Sequence, residues 1–195
     1  MNPSAPSAAP ITEAQARDDM LRWLERAVIG LNLCPFAKAV HVRGQIHHAV
    51  HLAHDSEGLL EALLVEADAL VATPAATRDT TLLIAPNTLE DFLDFNEFTR
   101  RAERRLARAG FDGVLQLASF HPQFVFAGSA PDDIANATNR APYPTLHLLR
   151  EDSVSRAVDA FPQAQSIYQR NIETLQRMGA DGWAALGVGP AGAAR

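Results

Sequence analysis

Residues Asp55 to Ala85, DSEGLLEALLVEADALVATPAATRDTTLLIA, decide the fold class. Asp55 or Ser56 supplies the side-chain oxygen that caps a helix. Leu59, Leu60, Leu63, Leu64, Ala67, Leu70 and Val71 then recur at helical spacing, as one buried stripe. The stripe ends, and Thr80 to Ala85 follows as a short apolar run bounded by turn residues, the pattern of a buried strand. A helix feeding a buried strand is half of a strand–helix–strand crossover, which makes part of a sheet parallel.

Upstream, Thr12 with Gln15 reads as a capping box, and Met20, Leu24, Ala27, Val28 and Leu31 carry the first helix to about Asn32. A strand is expected over Val40 to Leu52, its alternation filled with histidine. Downstream, Asn87 or Thr88 caps a third helix running through Ala109, and Gly110 takes the left-handed position beyond it. Gly113 to Phe120 and Leu146 to Leu149 read as strands. Pro162 opens a last long helix that ends at Met178–Gly179. This order predicts an α/β or α+β single-domain sandwich, with one mixed sheet packed by about four to five helices. Thr81–Ala85 and Val114–Phe120 are its expected central strands. The globular domain is read as 11–186, flanked by Pro/Ser/Ala-rich and Gly/Ala/Pro-rich tails over 1–10 and 187–195.

The chain has 195 residues, enough for one well-buried core. A net charge of −6 argues against a general nucleic-acid binder. The one cysteine, Cys34, excludes an intrachain disulfide and suits a reducing compartment. Neither a signal peptide nor an apolar run of membrane length is evident, so a soluble, cytoplasmic protein is expected.

Ser119 to Asp152 concentrates polar, multivalent side chains in segments that otherwise read as core. Buried without partners, each would cost on the order of 1–3 kcal/mol, so the fold must either satisfy them mutually or use them on a ligand. His121 and His147 stand among apolar neighbours at strand positions. The segment 136–144 cannot be regular, because Pro142 and Pro144 remove donors on either side of Tyr143. Arg140 and Arg150 make a two-pronged clamp for a carboxylate or phosphate, or else pair with local acids. Cys34 has two readings. Following the first helix, its thiol pKa rises; as the cap of a turn starting at Pro35, the dipole lowers it.

Other clusters have plainer readings. His41, His47, His48, His51 and His54 look like a metal cluster but lack accompanying ligands at metal spacing, and are read as surface strand histidines. Arg100, Arg101, Arg104, Arg105 and Arg108 form one helical stripe, read as a solvated face, with an anionic partner as the alternative. Asn171 falls on the apolar side of the last helix.

Five blocks in order, LNLCPFA (31–37), SFHP (119–122), NATNR (136–140), PYP (142–144) and LHLLRED (146–152), resemble the bacterial family of proteins of unknown function DUF1415. The likeness runs over about residues 12–186. It implies a bacterial, cytosolic, single-domain protein and no particular reaction. From the residues, the first expectation is a small-molecule enzyme acting on an anionic metabolite. Cys34, His121 and His147 would be its reactive groups, with Asn136, Asn139, Arg140, Tyr143 and Arg150 holding the substrate. The alternatives are a non-catalytic binding protein for an anionic metabolite and a Cys/His metal-binding protein. No cofactor, nucleic acid or membrane partner is read from the sequence.

Overall fold

A computed structural model describes residues 10–161 and 166–190. The first helix, α1 (Glu13–Trp23), opens on the full capping box: the Thr12 hydroxyl accepts from the Gln15 N–H, and Gln15 Oε1 accepts from the Thr12 N–H at 2.9 Å. It continues as a wider π-type stretch, Leu24–Ile29, where the Gly30 N–H reaches five residues back to the Glu25 carbonyl at 2.9 Å. Asn32 then turns the chain away at φ 55°, a left-handed conformation that asparagine tolerates.

The remaining elements are α2 (Ala37–Val42), β1 (Ile46–Val50), α3 (Ser56–Ala72), β2 (Thr80–Ile84), α4 (Phe92–Leu106), β3 (Leu115–Phe120), a 3-10 turn (Ile134–Asn139), β4 (Thr145–Arg150), α5 (Glu151–Asp159) and α6 (Ile167–Ala185). They build a mixed α/β domain around one four-stranded sheet of order β1-β2-β4-β3. The β1–β2 pair is parallel, and β4 runs antiparallel to both of its neighbours.

That order makes β3 an edge strand rather than a central one. The long 121–144 connection brings the chain back antiparallel and inserts β4 between β2 and β3, so β2 is buried along its whole length while Gln116 on β3 is exposed. The segment expected as one strand over 40–52 is divided. Val40 and His41 lie on α2, Gly44 turns the chain at φ 67°, and only Ile46–Val50 pairs. The third helix also starts later than Asn87 or Thr88. The Asn87 amide and Thr88 hydroxyl donate to the carbonyls of Leu52 and Ala53, at 2.7 and 2.6 Å, and Leu89 is left-handed at φ 60°. Asp91 is the cap, its carboxylate accepting from the N–H groups of Leu93 and Asp94. Gly110 takes its expected left-handed turn at φ 93°.

Pro162 lies outside the described residues. Helix α6 breaks at Gly179, where its end was expected, and resumes to Ala185. Beyond it Val188 is 6% exposed and joins the apolar cluster that holds Met20 and Trp23.

Strand register sorts the side chains onto two faces. Ala49, Leu83, Leu115, Leu146 and Leu148 face α3 and α4, meeting Leu59, Leu63, Phe95 and Phe98. Ile46, Val50, Ile84 and Phe120 face α1, where Trp23 meets Phe120 edge to face at 5.1 Å. The central place of β4 has a measurable consequence. Leu148, fully buried, truncated to alanine is expected to cost about 2–5 kcal/mol in urea unfolding, against under about 0.5 kcal/mol for Gln116→Ala on the edge strand.

Candidate functional site

His121 follows the C-terminal end of β3, where open α/β sheets often hold ligands. Here that space is filled. The imidazole is fully buried between Phe92 and Phe95, with ring centroids 5.4 and 4.9 Å away. Its Nε2–H donates to the Leu89 carbonyl at 3.0 Å, and Nδ1 accepts from the Gln123 N–H at 3.0 Å. Both nitrogens are used, and burial lowers the pKa so that the ring is held neutral.

The polar loop is satisfied in the same way. The buried Asn136 accepts from the Phe126 N–H at 3.0 Å and donates to the Ala130 carbonyl at 2.8 Å. Asn139 gives its carbonyl to the His121 N–H and its amide to the Ser119 carbonyl. Arg140 donates to the carbonyls of Phe124 and Pro131, at 3.1 and 2.6 Å. The buried Tyr143 hydroxyl donates to Asp19 Oδ2 at 2.7 Å, which together with burial pushes the phenol pKa well up. Arg150 donates to the carbonyls of Leu70, Thr73 and Arg78.

His147 lies on the opposite face of the sheet from His121, so those two do not share a pocket. The Thr80 hydroxyl donates to the Leu148 carbonyl at 2.6 Å, so at 2.7 Å it can only accept from His147 Nε2–H, which fixes the tautomer. Across Leu82 on the same face stands His48, whose Nε2 is buried with no hydrogen-bond partner among the described residues. Burial lowers both pKa values to about 4. Cys34 does precede a turn at Pro35 that leads into α2, and the N–H groups of Phe36 and Ala37 lower its thiol pKa. Burial outweighs them and leaves the thiol above its ordinary value.

Among the described residues no three His, Cys, Asp or Glu side chains gather as a metal-ligand set. His41 pairs with Glu25 and His47 with Glu66.

An open polar cavity lies at the other end of the sheet, between α2 and α5, with a volume of about 380 Å³. Phe36, Ala39 and Val40 give it an apolar wall. Arg43 and Arg156 stand at it from different helices. Arg43 Nε donates to Gln45 Oε1 at 2.7 Å, and the Gln45 amide donates to the Ala76 carbonyl at 2.9 Å, so the guanidinium is held by its inner nitrogen, and its outer ones have no hydrogen-bond partner among the described residues. Arg156 donates to Ser153 Oγ at 3.0 Å, which in turn donates to Asp79 at 2.6 Å. These residues escaped the sequence reading because they come from three separate elements. The one local signal is the Ser153–Arg156 spacing of three on a helix.

A family model described as protein of unknown function (DUF1415) matches residues 15–185, and the chain belongs to that family. No curated protein and no solved structure matches it. No helix among the described residues is long and apolar enough to cross a membrane.

Two outcomes follow for the buried groups. His48 and His147 have folded-state pKa values of about 4, below the ~6.5 of an unfolded chain. Between those values only the unfolded state takes up protons. The stability these rings contribute is therefore full above about pH 6.5 and falls toward pH 4, by at most about 1.4 kcal/mol per pH unit per histidine. Urea midpoints measured from pH 7 to 4.5 are expected to show that slope, reduced in the His48→Gln/His147→Gln double variant. Iodoacetamide alkylation of Cys34 is expected to stay slow at pH 7.5 and accelerate only above the free-cysteine range.

Proposed function

We propose that this chain, as a member of DUF1415, is a non-catalytic binding protein for a small anionic molecule carrying an apolar group, held between Arg43 and Arg156. The observation that carries the reading is the pair of guanidinium groups facing one open cavity beside the Phe36–Val40 wall. Two arginines against the single carboxylate of Asp79 leave the cavity cationic, which suits a carboxylate or phosphate ester. Gln45 fixes Arg43, and Ser153 fixes Arg156, so both donors are positioned before a ligand arrives. The enzyme reading has less support: the Cys34 thiol is pushed up, and His121 and His147 have their nitrogens committed to the fold or buried.

Phenyl phosphate and inorganic phosphate are the test probes, in calorimetric titrations. Phenyl phosphate is expected to bind more tightly than phosphate, because only it uses the apolar wall. Arg43→Gln and Arg156→Gln are each expected to weaken it about tenfold, the scale of one charge-assisted hydrogen bond. Binding left unchanged by both substitutions, or no binding of phenyl phosphate at millimolar concentration, overturns the proposal.

A further inference from the structure

The face of the molecule formed by α3 and α4 is charged in a segregated way. On α4 and the wider helical turn Ala107–Phe111 that continues it, Arg100, Arg101, Arg104, Arg105 and Arg108 are all exposed. Arg101 bridges Glu57 of α3 at 2.5 Å, and the other four have no carboxylate partner among the described residues. On α3 the outward groups are acidic: Glu57, Glu61 and Asp68, all exposed. A cavity of about 380 Å³ runs between the two helices. Glu57 bridges Arg101, and Glu61 and Leu64 line the cavity with Arg104, Arg105 and Arg108; because α3 follows β1 and α4 follows β2 of a parallel pair, the two helices run side by side in the same direction. Exposed apolar groups sit on the same layer: Leu93, 74% exposed, beside Arg100 and Arg104, and Val65, 65% exposed, on the ridge of α3.

We infer that this face docks on the same face of a second copy. A two-fold axis parallel to the two helices lays α3 of each protomer over α4 of its partner while keeping the helices parallel and level. Acid then meets base twice by symmetry, as an isologous interface requires. The acidic share of the face argues against a polyanion as occupant. A nucleic-acid-binding surface carries an excess of positive charge, whereas here Glu57, Glu61, Asp68 and Glu97 come close to balancing the arginines. Two helices about 24 Å long and together about 20 Å wide offer roughly 500 Å² per protomer, near the low end for specific complexes. The dimer is therefore weak and reversible, and its charge pairs make it salt-sensitive.

Sedimentation velocity across protein concentration tests this with the full chain. Reversible monomer–dimer exchange is expected at low ionic strength, weakened about tenfold or more between ~50 and ~500 mM NaCl. Arg101→Glu/Arg105→Glu, changing only exposed side chains, is expected to sediment as monomer. Adding Glu57→Arg/Glu61→Arg to that variant restores the acid–base match in reverse and should restore dimerisation, a rescue that a misfolded variant could not show. A wild-type chain that stays monomeric at ~1 mM, the upper range for a weak contact, overturns the inference, even if it binds polyglutamate. So does a dimer indifferent to the α4 reversal, or a reversal that the α3 substitutions fail to rescue.

Discussion

Backbone carbonyls that no helix or strand can pair set the terms for this fold. Buried and unbonded, each would cost on the order of 1–3 kcal/mol. The chain has two irregular connections that create them, the 73–79 link from α3 into β2 and the 121–144 return from β3 to β4. Arg150 closes the first, joining the carbonyls of Leu70, Thr73 and Arg78 from the end of β4. Arg140, Asn136 and Asn139 close the second, with His121 anchoring it to Leu89. A guanidinium can serve several carbonyls at once because its donors diverge in a fixed plane. With both connections closed, β4 can occupy the middle of the sheet in antiparallel register.

The same constraint explains what was legible in the sequence. Helix starts with local chemistry could be read directly: Thr12 with Gln15, and Asp55, whose carboxylate accepts from the Gly58 N–H. The β2 strand was visible because it is apolar on both faces. The centrality of β4 was not, because its position depends on a 24-residue return whose course no local pattern encodes. The start of α4 was hidden for a related reason. Asn87 and Thr88 have the chemistry of caps but spend it on the carbonyls of Leu52 and Ala53, tying β1's exit to β2's. A capping residue is ambiguous whenever a tertiary acceptor competes for it.

The site was legible only in part. Polar residues in an apolar setting correctly flagged Ser119–Asp152 as a stretch where partners must exist. Those partners are mostly backbone groups of the same chain, with the Thr80 hydroxyl serving His147 and the Asp19 carboxylate serving Tyr143. The blocks that carry the resemblance accordingly do mostly architectural work, and only Pro35, Phe36 and the neighbouring Ser153 reach the α2–α5 cavity. Arg43 and Arg156 looked ordinary in sequence, since an exposed arginine on a helix usually meets only solvent. Their convergence comes from α2 and α5 meeting at one end of the sheet, where Phe36 packs edge to face on Phe161 at 5.8 Å.

Electrostatics then divides the molecule. The α1 face of the sheet holds two imidazoles neutral: His147 as a donor to Thr80, and His48 with an Nε2 that a proton would leave charged and without an acceptor. The buried Asp19 of that layer is matched by Arg22 at 2.7 Å, and further charge sits at the rims, on the arginines of α2 and α5 and on the opposed acid and base of α3 and α4. Buried neutrality and exposed segregation have the same origin, since an ion keeps its charge cheaply only where water or a fixed counter-charge can reach it. The cationic cavity and the zoned helical face therefore lie where the core's exclusion of charge leaves cations able to meet a partner.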